Sequence, residues 1–461
     1  MEVSKNRENT IIFLTKCLLV VLGLFTTIPY INDVGRDIYK LCCAWCFLCV
    51  AYLFIKRTKT FLKLEYVLLF LFCCSYAITI LVSGTEHLIN EVAILGYTGM
   101  LFFAMNYCDT DRDEKEIKKE LSILSWIVII ITFVFSLIGF LMFLFSVSVE
   151  ISHGETTFVY GMRENRLWGL YNPNSGSVLN YVSILLTVLL PKKKLGVKIF
   201  LGMNIVIQSL CFILTQSRGG WICLLTYIAI YFFFIKKYNF KETKQALKWC
   251  YKAVVTAALC VVVIAGGNLL KTGLGYIPVA IEEAMPDAES HLLEKDKFLH
   301  GKGEKPSTSL ERLDKKENNL ESISTGRSDL WKMGLKAYTK SPVFGIGYRS
   351  IDDVLVEEMS KGAYINSGGG GLHNIYITVW VSCGAVGFIL FALYLLCVLK
   401  KVAFGIFNPN ISTYGKCIMA FIPVWLVGEL VESRIVLGMN FQAIIFWIMI
   451  GYVGYYTKER K

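Results

Sequence analysis

LSILSWIVIIITFVFSLIGFLMFLFSVSV, residues 121–149, is the stretch of the chain that decides its fold class. It contains no charged residue, and it is longer than the run of about 20 apolar residues that crosses about 30 Å of hydrocarbon as a helix. Its apolar residues do not alternate with the period of two that strands of an outer-membrane barrel require. The stretch therefore predicts a membrane-spanning α-helix.

Apolar runs of this kind recur along the whole chain. The protein has 461 residues, of which 55% are apolar and only 18% charged, and its mean hydropathy is +0.53. These values exclude a soluble enzyme, a fibrous protein and a disordered chain. We predict an all-α polytopic membrane protein with about twelve transmembrane helices. The predicted spans are residues 11–31, 38–55, 64–83, 88–107, 121–149, 174–190, 196–215, 219–235, 249–270, 373–399, 414–434 and 437–456.

The charges indicate an orientation in the membrane. The formal net charge is +11, and Lys and Arg cluster at the ends of apolar runs, as at Lys192–Lys194 and Lys400–Lys401. Positive residues are retained on the cytoplasmic side, so these clusters indicate topology and not nucleic-acid binding. We expect a multi-pass protein of the bacterial cytoplasmic (plasma) membrane with both termini in the cytoplasm. The first span lacks a small-residue cleavage site, so we expect it to be retained and not removed as a signal peptide.

This orientation predicts three regions. Residues 1–270 hold the first nine spans, residues 271–372 form a large extracytoplasmic loop, and residues 373–461 hold the last three spans. The loop opens with a mixed-charge, solvated stretch at 282–321. A short helix is then predicted after Ser324–Gly326, because Trp331, Leu335 and Tyr338 recur at helical spacing, and glycine turns follow at 345–347 and 368–371.

Cysteine and histidine spacing argues against a metal centre. Most of the 15 cysteines lie inside apolar runs, where a thiol behaves as a small hydrophobe. No CxxC pair is set among metal-ligand histidines, and no disulfide framework is visible. We expect no metal and no cofactor.

Polar residues that can do chemistry lie near the predicted outer ends of the spans. Several arginines on one membrane face suit a bidentate hold on phosphate or diphosphate oxygens, and an imidazole beside them can take a proton from a hydroxyl group. The glycine run at 368–371 lacks the Lys-Ser/Thr ending of a nucleotide-binding loop. The candidate residues are Arg166, Asn174, Arg218, Arg327, Arg349, His373, Asn374, Glu429 and Glu432.

An ordered set of motifs resembles a known family. The set comprises Ser217-Arg218-Gly219-Gly220, Thr325-Gly326-Arg327-Ser328-Asp329-Leu330-Trp331, Pro342-Val343-Phe344-Gly345-Ile346-Gly347 and Leu372-His373-Asn374-Ile375-Tyr376. It looks like the O-antigen ligase and Wzy-type polymerase family of membrane glycosyltransferases, which have a GT-C-like helical fold. The resemblance covers about residues 165–400.

The resemblance implies a reaction. In this family a glycan moves from undecaprenyl pyrophosphate to a sugar hydroxyl, without metal or nucleotide and with inversion at the anomeric carbon. Arg218 and Arg327 are expected to hold the diphosphate, and His373 is expected to be the base or the group that positions the acceptor. Arg166, Arg349, Asn174, Asn374, Glu429 and Glu432 are expected to bind substrate. Expected partners are the lipid-linked oligosaccharide donor, a glycan acceptor, the lipid bilayer and other polysaccharide assembly proteins, but no nucleic acid.

Alternatives remain open at this point. A polymerase adds repeat units to a growing lipid-linked chain, a ligase moves the finished chain to another acceptor, and we favour the polymerase. A transporter or flippase of the same lipid-linked sugars is the alternative from another class, and Asn204 and Gln208 inside a span fit it. A receptor that uses the outer loop would leave the arginines idle. Glu429 and Glu432 lie at i and i+3 on one face of a predicted span, where we favour an ion pair with Arg434 or Arg218 over an acid–base role.

Overall fold

The structure is a computed structural model that describes residues 2–84, 86–153, 156–163, 165–191, 194–240, 244–284, 327–360 and 371–458. The predicted cap at Ser324–Gly326 lies outside these residues. So do most of the predicted mixed-charge stretch 282–321 and residues 368–370 of the second glycine turn.

Helices make up almost all of the regular structure. The helices before the strands are α1 (Glu2–Phe25), α2 (Pro29–Lys56), α3 (Thr58–Phe61), α4 (Leu64–Val82), α5 (Leu88–Gly99, continued by a π-helical turn Met100–Met105) and α6 (Glu114–Leu144). Three strands follow, β1 (Ser148–His153), β2 (Thr156–Arg163) and β3 (Arg166–Gly169). Next come α7 (Pro173–Leu189), α8 (Leu195–Thr215), α9 (Arg218–Ile230, continued by a π-helical turn Tyr231–Ile235) and α10 (Gln245–Ala284). The last helices are α11 (Arg327–Tyr338), α12 (Ser350–Ser360), α13 (Ile375–Phe407), α14 (Thr413–Gly428) and α15 (Phe441–Tyr456).

The helices confirm a polytopic membrane protein. Among the described residues, nine helices are long and apolar enough to cross a membrane. The other three predicted spans correspond to α7, with 17 residues, and to α14 and α15, with 16 each. The count of twelve transmembrane helices therefore stays a prediction.

Two helix boundaries differ from the sequence prediction. Helix α10 continues to Ala284, past the predicted end of its span at residue 270 and into the predicted mixed-charge stretch. Helix α14 ends at Gly428 and not at residue 434, because the backbone of residues 429–434 turns away to contact the start of α13. Glu429, Glu432 and Arg434 therefore lie in a loop and not on one face of a helix, as their spacing had indicated.

A small antiparallel sheet is the exception to the predicted all-α fold. Strands β1, β2 and β3 pair in sequence order between α6 and α7. Met162 and Leu167 pack from the sheet onto Phe143 of α6 and Leu214 of α8. In β3 burial alternates along the strand, so this short strand has one buried face.

The chain divides into two compact units. The first comprises Met1–Gly23, Val34–Ile117 and Glu317–Lys461, and the second comprises Leu24–Asp33 and Lys118–Lys316. The core of the first unit is helix α15, which is apolar on all sides and almost entirely buried. Its Trp447 packs on Phe102 and on Tyr394 of α13, with ring centroids 4.5 and 5.5 Å apart.

A buried polar network joins three helices of the second unit. Asn204 of α8 donates to Ser183 and Thr187 of α7, at 3.1 and 2.9 Å. Gln208 donates to Asn204 at 3.2 Å and accepts from Ser136 of α6 at 2.9 Å. Each of these amides is satisfied by neighbouring helices, which is how polar residues hold membrane helices together.

Helix α13 is broken at Gly384, and a loop of the first unit fills the break. Gly384 has φ 67° and ψ −172°, so the residues around it cannot complete the helical hydrogen bonds. Four backbone hydrogen bonds of 3.0–3.2 Å join the break to the loop, from Ile346 to Val381, Gly347 to Ser382, Ala385 to Pro342 and Val386 to Val343. The predicted glycine turn at 345–347 is thereby confirmed, with positive φ at Gly345 and Gly347.

Candidate functional site

The start of α13 is tied to the loop that follows α14. Asn374 caps α13, because its side-chain oxygen accepts from the backbone N–H groups of Tyr376 and Ile377. Its amide nitrogen donates to the backbone carbonyl of Leu430 at 3.0 Å. The backbone N–H of Ile375 donates to the backbone carbonyl of Glu429, also at 3.0 Å. These bonds set His373, just before the cap, beside the loop 429–434.

Asn374 is largely buried in this arrangement. The residue is 7% exposed, and both polar atoms of its amide form hydrogen bonds, with the first turn of α13 and with Leu430. These bonds position the start of α13, and the predicted role of Asn374 in binding substrate stays a prediction.

His373 is held in an unusual backbone conformation. Its φ is +46°, in the left-handed region that costs a non-glycine residue about 1 kcal/mol or more. The indole nitrogen of Trp331 in α11 donates to the carbonyl of the preceding residue, Leu372, at 2.8 Å, and Leu372 is fully buried against Leu330. Contacts on both sides of the histidine thus fix its position.

Glu432 is the centre of a cluster of cations. Its Oε1 accepts from Nη2 of Arg327 at 3.3 Å. Its Oε2 accepts from Nε of Arg434 at 3.2 Å, and it lies 3.2 Å from Nη2 of Arg434 and 3.5 Å from Nδ1 of His373. Two guanidinium groups face one carboxylate, so the cluster keeps a formal positive charge even with a neutral imidazole. We call Arg327, His373, Glu432 and Arg434 the Glu432 cluster.

The electrostatics of Glu432 follow from this geometry. Burial by itself would raise the pKa of the Glu432 carboxyl, but Arg434, His373 and Arg327 outweigh that effect and lower the pKa to about 2. Glu432 is therefore ionised at any physiological pH and can orient the histidine ring through Nδ1. Among the described residues, none hydrogen-bonds to the other ring nitrogen, Nε2, and the side chain is 24% exposed.

Glu429 has the opposite electrostatic character. Its carboxylate accepts the backbone N–H of Arg434 at 2.7 Å and that of Ile435 at 3.4 Å. Burial raises the pKa of Glu429 to about 7, although Arg434 and these hydrogen bonds oppose the rise. Glu429 shapes the loop that carries Glu432 and Arg434, and it is only 3% exposed.

Arg349 has a separate set of contacts. Its backbone N–H donates to Oε1 of Glu91 at 2.7 Å, and its Nη1 lies 3.7 Å from Asp352. Glu91 is buried and also accepts from the hydroxyl of Tyr76. These contacts anchor the segment 345–349 on α4 and α5, and none of them joins Arg349 to the Glu432 cluster. Its predicted role in binding substrate stays a prediction.

The second unit holds the other predicted site residues. Nε of Arg166 donates to the carbonyl of Thr215 at 2.9 Å, and its Nη2 lies 3.5 Å from Oδ1 of Asn174. The same Oδ1 accepts from the hydroxyl of Ser217 at 3.3 Å. The structure thus brings Arg166 and Asn174 together with the loop between α8 and α9.

Arg218 begins helix α9 directly after this loop. Ser217 caps the helix by accepting the N–H of Gly220. Gly220 approaches α7 so closely that a Cβ there would lie 2.7 Å from Ser177. Arg218 therefore lies on the first turn of α9, directly after Ser217, which contacts Asn174.

Comparison with known proteins supplies the family. Residues 203–392 match the family model described as O-antigen ligase. This range is about two fifths of the chain, and it resembles an O-antigen ligase domain. The resemblance inferred from the motifs is confirmed, and the matched range includes Arg218, Arg327 and His373. Glu429, Glu432 and Arg434 lie outside it.

A curated relative also matches part of the chain. A Haemophilus influenzae protein described as uncharacterized is 26% identical over 238 residues. This alignment covers 50% of the present chain and 50% of the relative, so the chain spans about half the length of the relative it matches.

Sequence reasoning identified Arg434 as an ion-pair partner of Glu432, and the structure shows that pair. It missed one buried carboxylate of the first unit, Glu91. Glu91 lies in an apolar span, and a buried carboxylate there was the available signal, since ionisable residues inside membrane helices are rare and functional or structural by default.

Proposed function

We propose that this protein is a bacterial surface-polysaccharide polymerase. It would transfer an oligosaccharide repeat from undecaprenyl pyrophosphate to a sugar hydroxyl at the outer face of the membrane, with inversion at the anomeric carbon. The observation that carries the proposal is the Glu432 cluster, in which a carboxylate-oriented imidazole lies beside two guanidinium groups. The resemblance to the O-antigen ligase family supports the same class of chemistry.

In this proposal His373 accepts the proton of the attacking hydroxyl group. The acceptor hydroxyl oxygen attacks the anomeric carbon and gives its proton to Nε2 of His373, while Nδ1 faces Glu432. The bond between the anomeric carbon and the diphosphate oxygen breaks, and the lipid diphosphate departs. The negative charge of Glu432 stabilises the imidazolium that forms, as the aspartate does in hydrolase triads.

The diphosphate is handled by the arginines. Arg327 and Arg434 supply positive charge next to His373, and charge-assisted hydrogen bonds to departing phosphate oxygens stabilise the transition state. The family resemblance implies that Arg218 binds diphosphate, and we assign Arg166, which Asn174 orients, to substrate binding. The chemistry needs no metal and no nucleotide, because the donor is already activated.

A ligase is the second candidate, favoured by the description of the matching family. It would use the same donor and the same residues and would differ in its acceptor. A transporter of lipid-linked sugars receives less support. The broken helix α13 has the interruption typical of transporter sites, but Val381, Ser382, Ala385 and Val386 all pair with a loop of the protein at the break.

The proposed location is the bacterial cytoplasmic membrane, with both termini in the cytoplasm and the segment between α10 and α13 outside. The lysine-rich ends of α13 and α15 support this orientation, because positive residues stay on the cytoplasmic side. Other polysaccharide assembly proteins are the partners that the proposal implies.

Purified protein with lipid-linked repeat units tests the proposal. The wild type should give a ladder of products on the lipid carrier, and His373→Gln should lower the rate by about 100-fold or more, the usual size of a lost general base. His87→Gln is the matched control, since His87 pairs with Asp353 at 2.6 Å and not with the Glu432 cluster. A full ladder from His373→Gln would refute the assigned base.

Arg218→Ala tests the diphosphate assignment in the same assay. It should abolish the ladder, whereas Arg57→Ala, which removes a guanidinium paired with Glu8 at 3.7 Å, should not. Transfer to an added glycan that is not lipid-linked, without a ladder, would identify a ligase. Uptake of the lipid-linked unit across vesicles without any new glycosidic bond would identify a transporter.

A further inference from the structure

A large cavity lies in the first unit, at the ends of its membrane helices. Its volume is about 830 Å³, and it lies between the start of α4, the end of α13, the start of α14 and the end of α15. This volume falls in the range of small-molecule sites, about 300–1,000 Å³. None of its lining residues belongs to the Glu432 cluster.

Lysine dominates the charge of this cavity. Lys400, Lys401 and Lys458 line it, against Glu65 and Glu114. Lys401 lies 2.6 Å from Glu65, and Lys458 pairs with Asp111 outside the lining. Lys400 is exposed, and no described residue forms an ion pair with it. The cavity therefore offers a cation to an incoming anion.

A buried hydroxyl without a partner also lines the cavity. Tyr456 is 6% exposed, and its hydroxyl has no hydrogen-bond partner among the described residues. A buried hydroxyl without a hydrogen-bond partner costs about 1–3 kcal/mol unless a ligand or water accepts a hydrogen bond from it. A phosphate oxygen is a suitable acceptor, and the neighbouring start of α14, capped by Ser412, adds a favourable helix dipole.

Two exposed apolar side chains also line the cavity. Leu64 and Phe404 both line it, and they are 61% and 70% exposed. On a multi-pass membrane protein such side chains face hydrocarbon, so acyl chains can lie on them. A soluble anion would make no use of these two side chains.

We propose that this cavity binds the head group of an anionic phospholipid. Lys400 and the Tyr456 hydroxyl hold the phosphodiester, and the acyl chains lie against Leu64 and Phe404. Basic pockets between helices at the cytoplasmic face are a recognised way for membrane proteins to bind such lipids. The site is independent of the polymerase proposal, because it shares no residue with it.

Native mass spectrometry of the full chain in detergent tests this proposal. Phosphatidylglycerol and phosphatidylcholine with the same acyl chains are the probes. The wild type should retain phosphatidylglycerol more than phosphatidylcholine. Lys400→Gln should lower its retention about five-fold, the effect of one lysine near an anionic head group. Tyr456→Phe should lower it about three-fold, the effect of one lost hydrogen bond.

Lys244→Gln is the matched control. Lys244 is exposed at the start of α10 and lies outside the cavity, so this variant removes the same charge and should bind like the wild type. Equal retention of the two lipids, or equal effects of Lys400→Gln and Lys244→Gln, would overturn the proposal. So would deacylated glycerophosphoglycerol or inorganic phosphate binding as tightly as the lipid, because the site would then serve a soluble anion.

Discussion

Nδ1 of His373 lies 3.5 Å from Oε2 of Glu432, and the same oxygen accepts from Nε of Arg434 and lies 3.2 Å from its Nη2. One carboxylate thus orients the imidazole and holds a guanidinium at the same time. Because Arg327 binds the other oxygen, both sides of the carboxylate are engaged. Movement of Glu432 would therefore displace the histidine and both arginines together.

Glu432→Gln should lower the turnover rate while leaving the protein folded. Glutamine keeps the shape of the side chain but loses the charge that orients His373 and stabilises its protonated form. We expect a fall of about 10- to 100-fold in kcat with a smaller change in KM, measured on lipid-linked repeat units. Glu432→Asp should restore part of kcat, and a variant with unchanged kcat and raised KM would show that Glu432 acts only in binding.

Low pH should destabilise the folded protein because it protonates Glu432. The pKa of its carboxyl is about 2 in the folded protein against a usual 4.5, so ionised Glu432 stabilises the folded state above pH 4.5. This contribution, on the order of 3 kcal/mol, is lost as the pH falls from 4.5 through 2. In detergent, the melting temperature of the wild type should fall more between pH 5 and pH 3 than that of Glu432→Gln. Parallel curves of melting temperature against pH would contradict the lowered pKa of Glu432.

Glu429 should give the opposite pH dependence. Its pKa is about 7 in the folded protein, above the usual 4.5, so its contribution is most favourable below pH 4.5 and is lost as the pH rises through 7. The side chain in Glu429→Gln carries no charge at any pH, so this variant should not lose stability as the pH rises through 7. Between pH 5 and pH 8 the melting temperature of the wild type should therefore fall by a few degrees relative to the variant. A constant difference between the two would refute the raised pKa.

The sequence predicted the helices of this protein well because each apolar run reports directly on burial in lipid. It also predicted α11, from Trp331, Leu335 and Tyr338 at helical spacing. It did not predict the sheet at 148–169, because the strands are short and their apolar face becomes clear only where Met162 and Leu167 pack on α6 and α8.

The candidate site was predicted in composition but not in arrangement. His373, Arg327 and Glu432 were all identified, but spacing placed Glu429 and Glu432 on one helical face, whereas α14 ends at Gly428. That ending depends on hydrogen bonds from α13 that are remote in sequence, which no local pattern reports. The role of Arg434 depends on the same fold of the loop.

Arg434→Lys should lower the activity almost as much as a substitution that removes the positive charge of Arg434. Lysine keeps the positive charge, but it has a single side-chain nitrogen and cannot place two nitrogens within 3.2 Å of Oε2 of Glu432 as the guanidinium does. We expect a fall of about ten-fold or more in kcat in the ladder assay. Arg112→Lys is a suitable control, since Arg112 pairs with Glu116 at 3.1 Å on one helix. Full activity of Arg434→Lys would show that only charge matters at this position.

Gly384→Ala should prevent the first unit from folding. A Cβ at Gly384 would lie 2.3 Å from the carbonyl oxygen of Val343 and 2.5 Å from the backbone nitrogen of Gly345, and the residue has a positive φ that alanine adopts only with strain. The loop 342–347 would have to leave the break in α13, and four backbone hydrogen bonds would then be lost. The expected cost exceeds about 4 kcal/mol, so monodisperse protein should be lost in fluorescence-detected size exclusion. Gly266→Ala, where nothing lies within 4 Å of the added atom, should express normally, and a monodisperse Gly384→Ala protein with wild-type melting would refute the docking of the loop into the helix.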